Sequence, residues 1–335
     1  MISSILIWML SICATTFLQV TPPGSYTTLP SNATSPSVVF LCPHTTSGTT
    51  HSPLYGDIVL FDMPTMKYTN ITNDAFFDHR PRLSPDASML LYQSHRRGNA
   101  LDRAIAGIAG PNDLYCYDVH TRQERILLED HPDQYDSPEW ESDSTILVVQ
   151  YNKVLRITLS NPDPTPVFAL PDSIIISDLR VCGSKSLCAI VVAGQNSILT
   201  EQLLIVGPKG TDVTLVLGNT STLDLSLGGW HSDGDRFLFI KRDTIFEFSA
   251  STGRSTKIAD PSILRGLRPF LVRYLADSIA FLAESGADNC PPADYVGSTD
   301  LYMFDPETGI TRRRTFDCRP KDDFDIATRP HSQIK

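Results

Sequence analysis

Residues 78–96 read DHRPRLSPDASMLLYQSHR. A tight turn, Ser84-Pro85-Asp86-Ala87, separates a segment with one large apolar residue from an apolar run that ends in polar side chains. Asp and small residues tolerate the dihedrals of a sharp reversal, and the Asp carboxylate accepts hydrogen bonds from nearby amides. The pattern is Pro, any residue, a large apolar residue, a turn with Asp or Ser, then an apolar strand. It returns at residues 138–149 (PEWESDSTILVV) and 228–240 (GGWHSDGDRFLFI). A further copy runs from Pro269-Phe270-Leu271 into Asp277–Phe281, and a weaker one covers residues 179–190. Trp140 and Trp230, with Leu83, Val181 and Leu271, fill the large slot and are expected to be core between neighbouring modules.

A second unit lies between these copies: DIVLFD at Asp57–Asp62, DLYCYD at Asp113–Asp118 and DLYMFD at Asp300–Asp305. Degenerate versions begin near Lys153, Gln202 and Thr244, so the six starts are spaced by roughly 40 to 56 residues. Several continue into a turn such as Ser251-Thr252-Gly253 or Glu307-Thr308-Gly309. Short alternating strands at this period predict an all-β, six-bladed β-propeller of four-stranded antiparallel blades. Near the C-terminus, Ala327–Ser332 echoes His79–Ser84, and Val38–Cys42 is an orphan strand near the other end. The two termini are therefore expected to share one blade, which closes the ring and removes free edges.

The combination RPRLSPDAS, YQSHRRGN and DLYCYDVHT resembles the TolB-like six-bladed propeller repeat, over about residues 38–335. That resemblance implies the fold and little else: related propellers bind proteins, gate prolyl peptidases, or occasionally act as lyases on acidic sugars with a histidine-held metal. In such blades the residues before the Pro-x-Trp unit line one mouth of the channel. Here the candidates are Asp78, His79, Arg80, Asp136, Asp178, Arg268 and Arg329. The two longest insertions, Ser94–Asn112 and Glu284–Thr299, are expected on the same face, where binding loops gather on a rigid scaffold.

The chain has 335 residues, 41% hydrophobic and 20% charged, a globular composition. Its net charge of -10 argues against nucleic acid as a partner. Residues 1–20 form an apolar run ahead of Pro22-Pro23-Gly24 and read as a signal peptide, with a flexible segment over 21–37 and the propeller over 38–335. No later segment could span a bilayer. Sequons at Asn32, Asn70 and Asn219 agree with export, as does the even number of cysteines left once Cys13 is removed with the signal. Cys182–Cys188 and Cys290–Cys318 are candidate disulfides, and Cys42 and Cys116 remain by elimination. Spacing alone leaves the connectivity open.

No Gly-x-Ser-x-Gly elbow, His-Glu-x-x-His, P-loop or dinucleotide fingerprint is present. The expectation is a secreted, monomeric, non-catalytic propeller without a cofactor, binding an extracellular protein or peptide at the channel mouth. The alternative is a binder or lyase of acidic glycans. Arg80, Arg268 and Arg329 would hold a carboxylate, and His79, His131 and His331 could hold a metal.

Overall fold

The computed structural model describes residues 35–45, 51–73, 76–94, 96, 113–129, 135–194, 197–208, 210–221, 224–284, 299–316 and 321–329. All regular elements among them are β-strands. In chain order these are β1 (Ser35–Thr45), β2 (His51–Asp62), β3 (Lys67–Asn70), β4 (Asp78–Leu83), β5 (Met89–Ser94), β6 (Asp113–Asp118), β7 (Glu124–Leu128) and β8 (Asp136–Ser142). They continue as β9 (Thr145–Gln150), β10 (Lys153–Thr158), β11 (Asn161–Ala169), β12 (Ile174–Cys182), β13 (Leu187–Gly194), β14 (Ser197–Val206), β15 (Val213–Ser221) and β16 (Leu225–Trp230). The last are β17 (Arg236–Lys241), β18 (Thr244–Ser249), β19 (Arg254–Ala259), β20 (Pro269–Leu275), β21 (Ser278–Glu284), β22 (Thr299–Asp305), β23 (Ile310–Arg313) and β24 (Asp323–Arg329).

These strands form six four-stranded sheets, five of them consecutive meanders. The sixth is ordered β24-β1-β2-β3, so the C-terminal strand is the innermost of the first blade. It pairs antiparallel with β1 from Ser35↔Arg329 to Leu41↔Asp323. The innermost strands β4, β8, β12, β16, β20 and β24 pack on one another in cyclic order, and β24 returns to β4. The expected closed six-bladed propeller is therefore the observed one.

Strand period explains why the blades stack. Successive side chains point to opposite faces of a sheet, and both faces of each blade meet a neighbour. In β17, Phe237 and Phe239 enter the apolar cluster shared with β13 and β14 of the preceding blade. Leu238 and Ile240 enter the cluster shared with β20, β21 and β22 of the next. In β22, Leu301 and Met303 face the first blade, while Tyr302 and Phe304 face the fifth. Each apolar run thus serves two interfaces, and six clusters fill the six gaps. No blade could bury both faces alone.

Two registers differ from the sequence reading. In the last blade the large slot belongs to Tyr274, which stands opposite Ile279 as Trp140 stands opposite Ile146. The hairpin there turns on two residues, with Leu275 opposite Ser278, so Pro269-Phe270-Leu271 lies further back along the strand. At the C-terminus the inner strand is Asp323–Arg329, so the slot residue is Ile326 and the strand is finishing where the echo of His79–Ser84 would place its start.

Candidate functional site: the channel and its two mouths

Each inner strand carries one residue immediately before the large slot. Around the ring these are Arg82, Glu139, Arg180, Gly229, Arg273 and Asp325. They meet across blade boundaries and fill the channel with charge. Arg82 Nε donates to Glu139 Oε1 at 2.5 Å and its Nη1 to Asp323 Oδ2 at 3.0 Å. Arg180 Nη1 lies 3.1 Å from the same Glu139 oxygen and 2.8 Å from Asp178 Oδ1. Arg273 Nε reaches Asp325 Oδ1 at 3.3 Å, while Asp325 Oδ2 accepts from the Leu83 amide at 2.9 Å.

All three arginines are buried. Burial by itself would raise the carboxyl of Asp178, but Arg180, then Arg80 and Arg82, hold it below its ordinary range. Asp323 behaves alike: Arg82, Arg273 and Arg180 overcome its burial and hold it low. Glu139 goes the other way, because its desolvation outweighs Arg180 and Arg82 and pushes its carboxyl up. Pairs of this kind add little net stability but are costly to break, because the survivor is a buried unpaired charge.

At the end where the inner strands begin, a cavity of about 450 Å³ opens above this ring. Its polar wall includes His79, Arg80, Asp178, Glu201, Asp322 and Asp323. Its apolar wall includes Leu41, Phe77, Val191, Leu225, Leu227 and Leu271. Glu201 accepts from the Ser177 hydroxyl at 3.2 Å, and burial pushes its carboxyl up. The mouth is locally strained. Arg80 and Ser137, each immediately before a proline, have φ of 53° and 45°. Both sit where the pairing register shifts by a bulge. Such left-handed residues cost of order 1–3 kcal/mol each and re-aim side chains. Here they bring Arg80 Nη1 onto Ser137 Oγ at 2.7 Å and into an ion pair with Asp136.

The sequence candidates separate accordingly. His79, Arg80 and Asp178 line the cavity, and His79 stacks on Phe77 with ring centroids 4.9 Å apart. Asp136 is engaged by Arg80. Asp78 is fully buried and faces Arg96 at 3.3 Å, beneath the base of the first long insertion. Arg268 is on the strand-start side but exposed, 3.9 Å from Asp243, and does not line the cavity. Arg329 ends β24, at the opposite end of an inner strand from Arg80, so the three arginines are not gathered.

Both long insertions leave and re-enter at the strand-start face, since Asp78 pairs Ser94, Ser94 pairs Asp113, and Glu284 pairs Thr299. Residues 95, 97–112 and 285–298 of these insertions, with His131, His331, Asn32, Cys290 and Cys318, lie outside the described residues. Among the described residues no three His, Cys, Asp or Glu side chains are grouped to hold a metal.

The remaining cysteine expectation is corrected. Cys182 and Cys188 are buried thiols, not a disulfide. Val181 stands opposite Cys188, so Cys182, one residue on, points to the other face of the blade. Cys188 packs toward the third blade, whereas Cys182 Sγ lies beside the Gly234 turn of the fifth. Cys42 and Cys116 are likewise apart, one at the boundary with the sixth blade and the other at the boundary with the third. Of the sequons, Asn70 is exposed at the outer edge of the first blade. Its partner Thr72 is buried, its hydroxyl accepting from the Ile58 amide at 2.8 Å. Asn219 is in β15.

What the sequence reading passed over was the ring itself. The residue between the Pro and the large slot varies in type from copy to copy of the sequence pattern, yet it is the residue that faces the channel. At the far mouth a second cavity, of about 320 Å³, is lined by Leu83, Trp140, Val181, Trp230, Tyr274 and Ile326, together with Glu139 and Ser232.

No protein-family model matches the chain, and no curated protein matches it by sequence. Solved structures do. The chain is similar to TolB from Acinetobacter baumannii, with a TM-score of 0.63 at 11% identity, over 90% of this chain and 68% of that one. It is similar to a chain of the Nidogen/Laminin complex, with a TM-score of 0.56 at 8% identity, over 87% and 98%. It is also similar to an oligogalacturonate lyase in complex with manganese, with a TM-score of 0.52 at 14% identity, over 84% and 74%. At these identities the likeness is one of fold, and the fold is a TolB-like six-bladed β-propeller.

Proposed function

We propose that this chain is an exported, non-catalytic binding propeller that takes an extended segment of a protein or peptide at the strand-start mouth. The observation that carries this reading is the cavity of about 450 Å³ whose walls combine charges of both signs with apolar side chains. A peptide presents that mixture, with apolar side chains alternating with charged ones and amides between. The walls stand on inner strands locked by the charged ring, so little order is lost on binding. Both long insertions leave from and return to that same face. Export is supported by the apolar first 20 residues and by the exposed Asn70 in its sequon. Among the described residues no helix is long and apolar enough to cross a membrane. A propeller of this architecture occurs in the Nidogen/Laminin complex, where the company it keeps is another protein.

The acidic-glycan alternative is the weaker one. Arg80 is committed to Asp136 and Ser137, while Arg268 and Arg329 stand elsewhere. Asp178, Asp322, Asp323 and Glu201 at the cavity would repel a polyanion.

Selection of a random peptide display library against the wild-type protein and against Ser226→Trp tests the proposal. Ser226 is half-buried on the cavity wall, so an indole there plugs the mouth. Enriched peptides should share a motif, bind the wild type, and lose at least about tenfold in affinity for a plugged variant of unchanged melting temperature. Peptides that bind both proteins equally, or no enrichment at all, would refute the mouth as the binding site.

A further inference from the structure

The ring of channel charges alternates in sign except at one place. Glu139 stands between Arg82 and Arg180 and touches both, at 2.5 and 3.1 Å. Asp323 and Asp325 stand between Arg82 and Arg273, at 3.0 and 3.3 Å. Between Arg180 and Arg273 the ring position is Gly229, which brings no carboxylate. The two guanidiniums instead share one neutral acceptor, the carbonyl oxygen of Gly228. Arg180 Nε and Arg273 Nη1 each donate to it at 3.1 Å. Arg273 Nη1 also donates to the carbonyls of Leu227 and Val272. Its Nη2 has no acceptor among the described residues, although Arg273 is only 4% exposed.

Asp325 answers one edge of Arg273, but the N–H group left unused at Nη2, buried and with a second guanidinium alongside, is costly without an acceptor of its own. Burial, with Arg180 and Arg82 alongside, pulls the Arg273 guanidinium down to about 10. Where other blades carry a charged side chain, the Arg273 stem lies close: a Cβ on Gly229 would fall 3.1 Å from Arg273 Cδ, so only that flexible side chain would have to shift to admit a group there.

We propose that a monovalent anion, a halide or the carboxylate of a ligand, occupies the channel between Arg180 and Arg273, in the place of the ring's missing acidic side chain. The donors are N–H groups of planar guanidiniums, which suit halides and carboxylates and cannot ligate a cation. Single charge follows from the surroundings, since Glu139, Asp178, Asp323 and Asp325 would repel a doubly charged ion. This site lies within the ring itself and is independent of what the mouth above it binds.

The line width of the chloride NMR signal, measured over the full chain, tests this directly. Wild type should broaden the line saturably. Gly229→Asp, which supplies the missing carboxylate internally, should lower chloride affinity by about tenfold or more at an unchanged or higher melting temperature. Arg273→Gln should lower it similarly. Acetate that narrows the line assigns the site to carboxylates as well as halides, and chloride held against acetate assigns it to halides alone. Broadening that is absent, or equal in the wild type and Gly229→Asp, would place chloride on exposed cations and overturn the proposal. Should both variants fail to fold, bromide-soaked wild-type crystals provide the second measurement. An anomalous peak within hydrogen-bond reach of Arg273 Nη2 is expected, and its absence would equally overturn the site.

Discussion

The indole Nε1 of Trp140 donates a hydrogen bond to the carbonyl oxygen of Arg82, 3.0 Å away in the preceding blade. Trp230 repeats the contact with Arg180 at 3.3 Å. The slot residue therefore does two things. Its ring fills the apolar gap between blades, and its N–H satisfies the backbone of the residue whose side chain lines the channel.

Replacing Trp140 should show both contributions. Trp140→Phe keeps most of the apolar body but removes the hydrogen bond to the Arg82 carbonyl, a loss of about 0.5–1.5 kcal/mol. Trp140→Ala should lose about 3–5 kcal/mol. Trp230 is only half-buried, so Trp230→Phe should cost less than Trp140→Phe. Urea unfolding of the four proteins, wild type included, gives the order.

Gly228 and Gly229 should respond differently to alanine. A Cβ at Gly228 would fall 2.4 Å from the Leu238 carbonyl oxygen and 2.7 Å from Val272 Cγ1. Backbone cannot step aside, so Gly228→Ala should lose about 1–3 kcal/mol or more. At Gly229 only the flexible Arg273 side chain must give, and Gly229→Ala should stay within about 0.5 kcal/mol of wild type. Thermal melts of the pair decide it.

Acid should unfold the protein partly through Asp323. Its carboxyl is held low in the folded state by Arg82, Arg273 and Arg180 against its burial. The ionised form is therefore the stabilising one. Its contribution is complete above the unfolded carboxyl value of about 3.9 and is lost as pH falls through the lower folded value. Asp323→Asn should be less stable near neutrality by about 1–3 kcal/mol, and its urea midpoint should fall less steeply below about pH 4. Parallel acid profiles for the two proteins would contradict this.

The thiols of Cys116 and Cys188 should resist modification in the folded protein. Burial pushes them up to about 11 and about 12, so almost no thiolate exists near neutral pH. With Cys182, they should react with a thiol reagent only after denaturation, and without prior reduction. Mass spectrometry of the labelled protein reads this out. A Cys182–Cys188 bridge would appear as two thiols that never label until reduced.

Loss of the closing strand should be disproportionate. Phe324 in β24 is fully buried, with its ring centroid 6.5 Å from that of Phe40 in β1. Phe324→Ala should cost about 3–5 kcal/mol. Deleting residues 323–335 should abolish the cooperative transition altogether, because it exposes the edge of β1 and opens the ring. A deletion variant that melts like wild type would mean the ring closes by other contacts.

Much of the architecture was legible in the residues. The recurring turn after Leu83, Trp140 and Trp230, and the DLYCYD and DLYMFD strands, repeat at a spacing that only a radial array of small sheets satisfies, because neither face of such a sheet can be left to water. The sharing of one blade between chain ends was legible for the same reason. Register was less so. In the last blade a two-residue hairpin shifted the slot from Leu271 to Tyr274, and hairpin length sets which residues stand opposite each other. The charged ring belongs to the tertiary structure. Arg82, Glu139, Arg180, Gly229, Arg273 and Asp325 are separated by about 40 to 60 residues and differ in type, so no local pattern marks them. They meet only because each inner strand turns that one position toward a common axis. Whether a given charge there is paired or left over depends on its neighbours around the ring, which the linear order of residues does not contain.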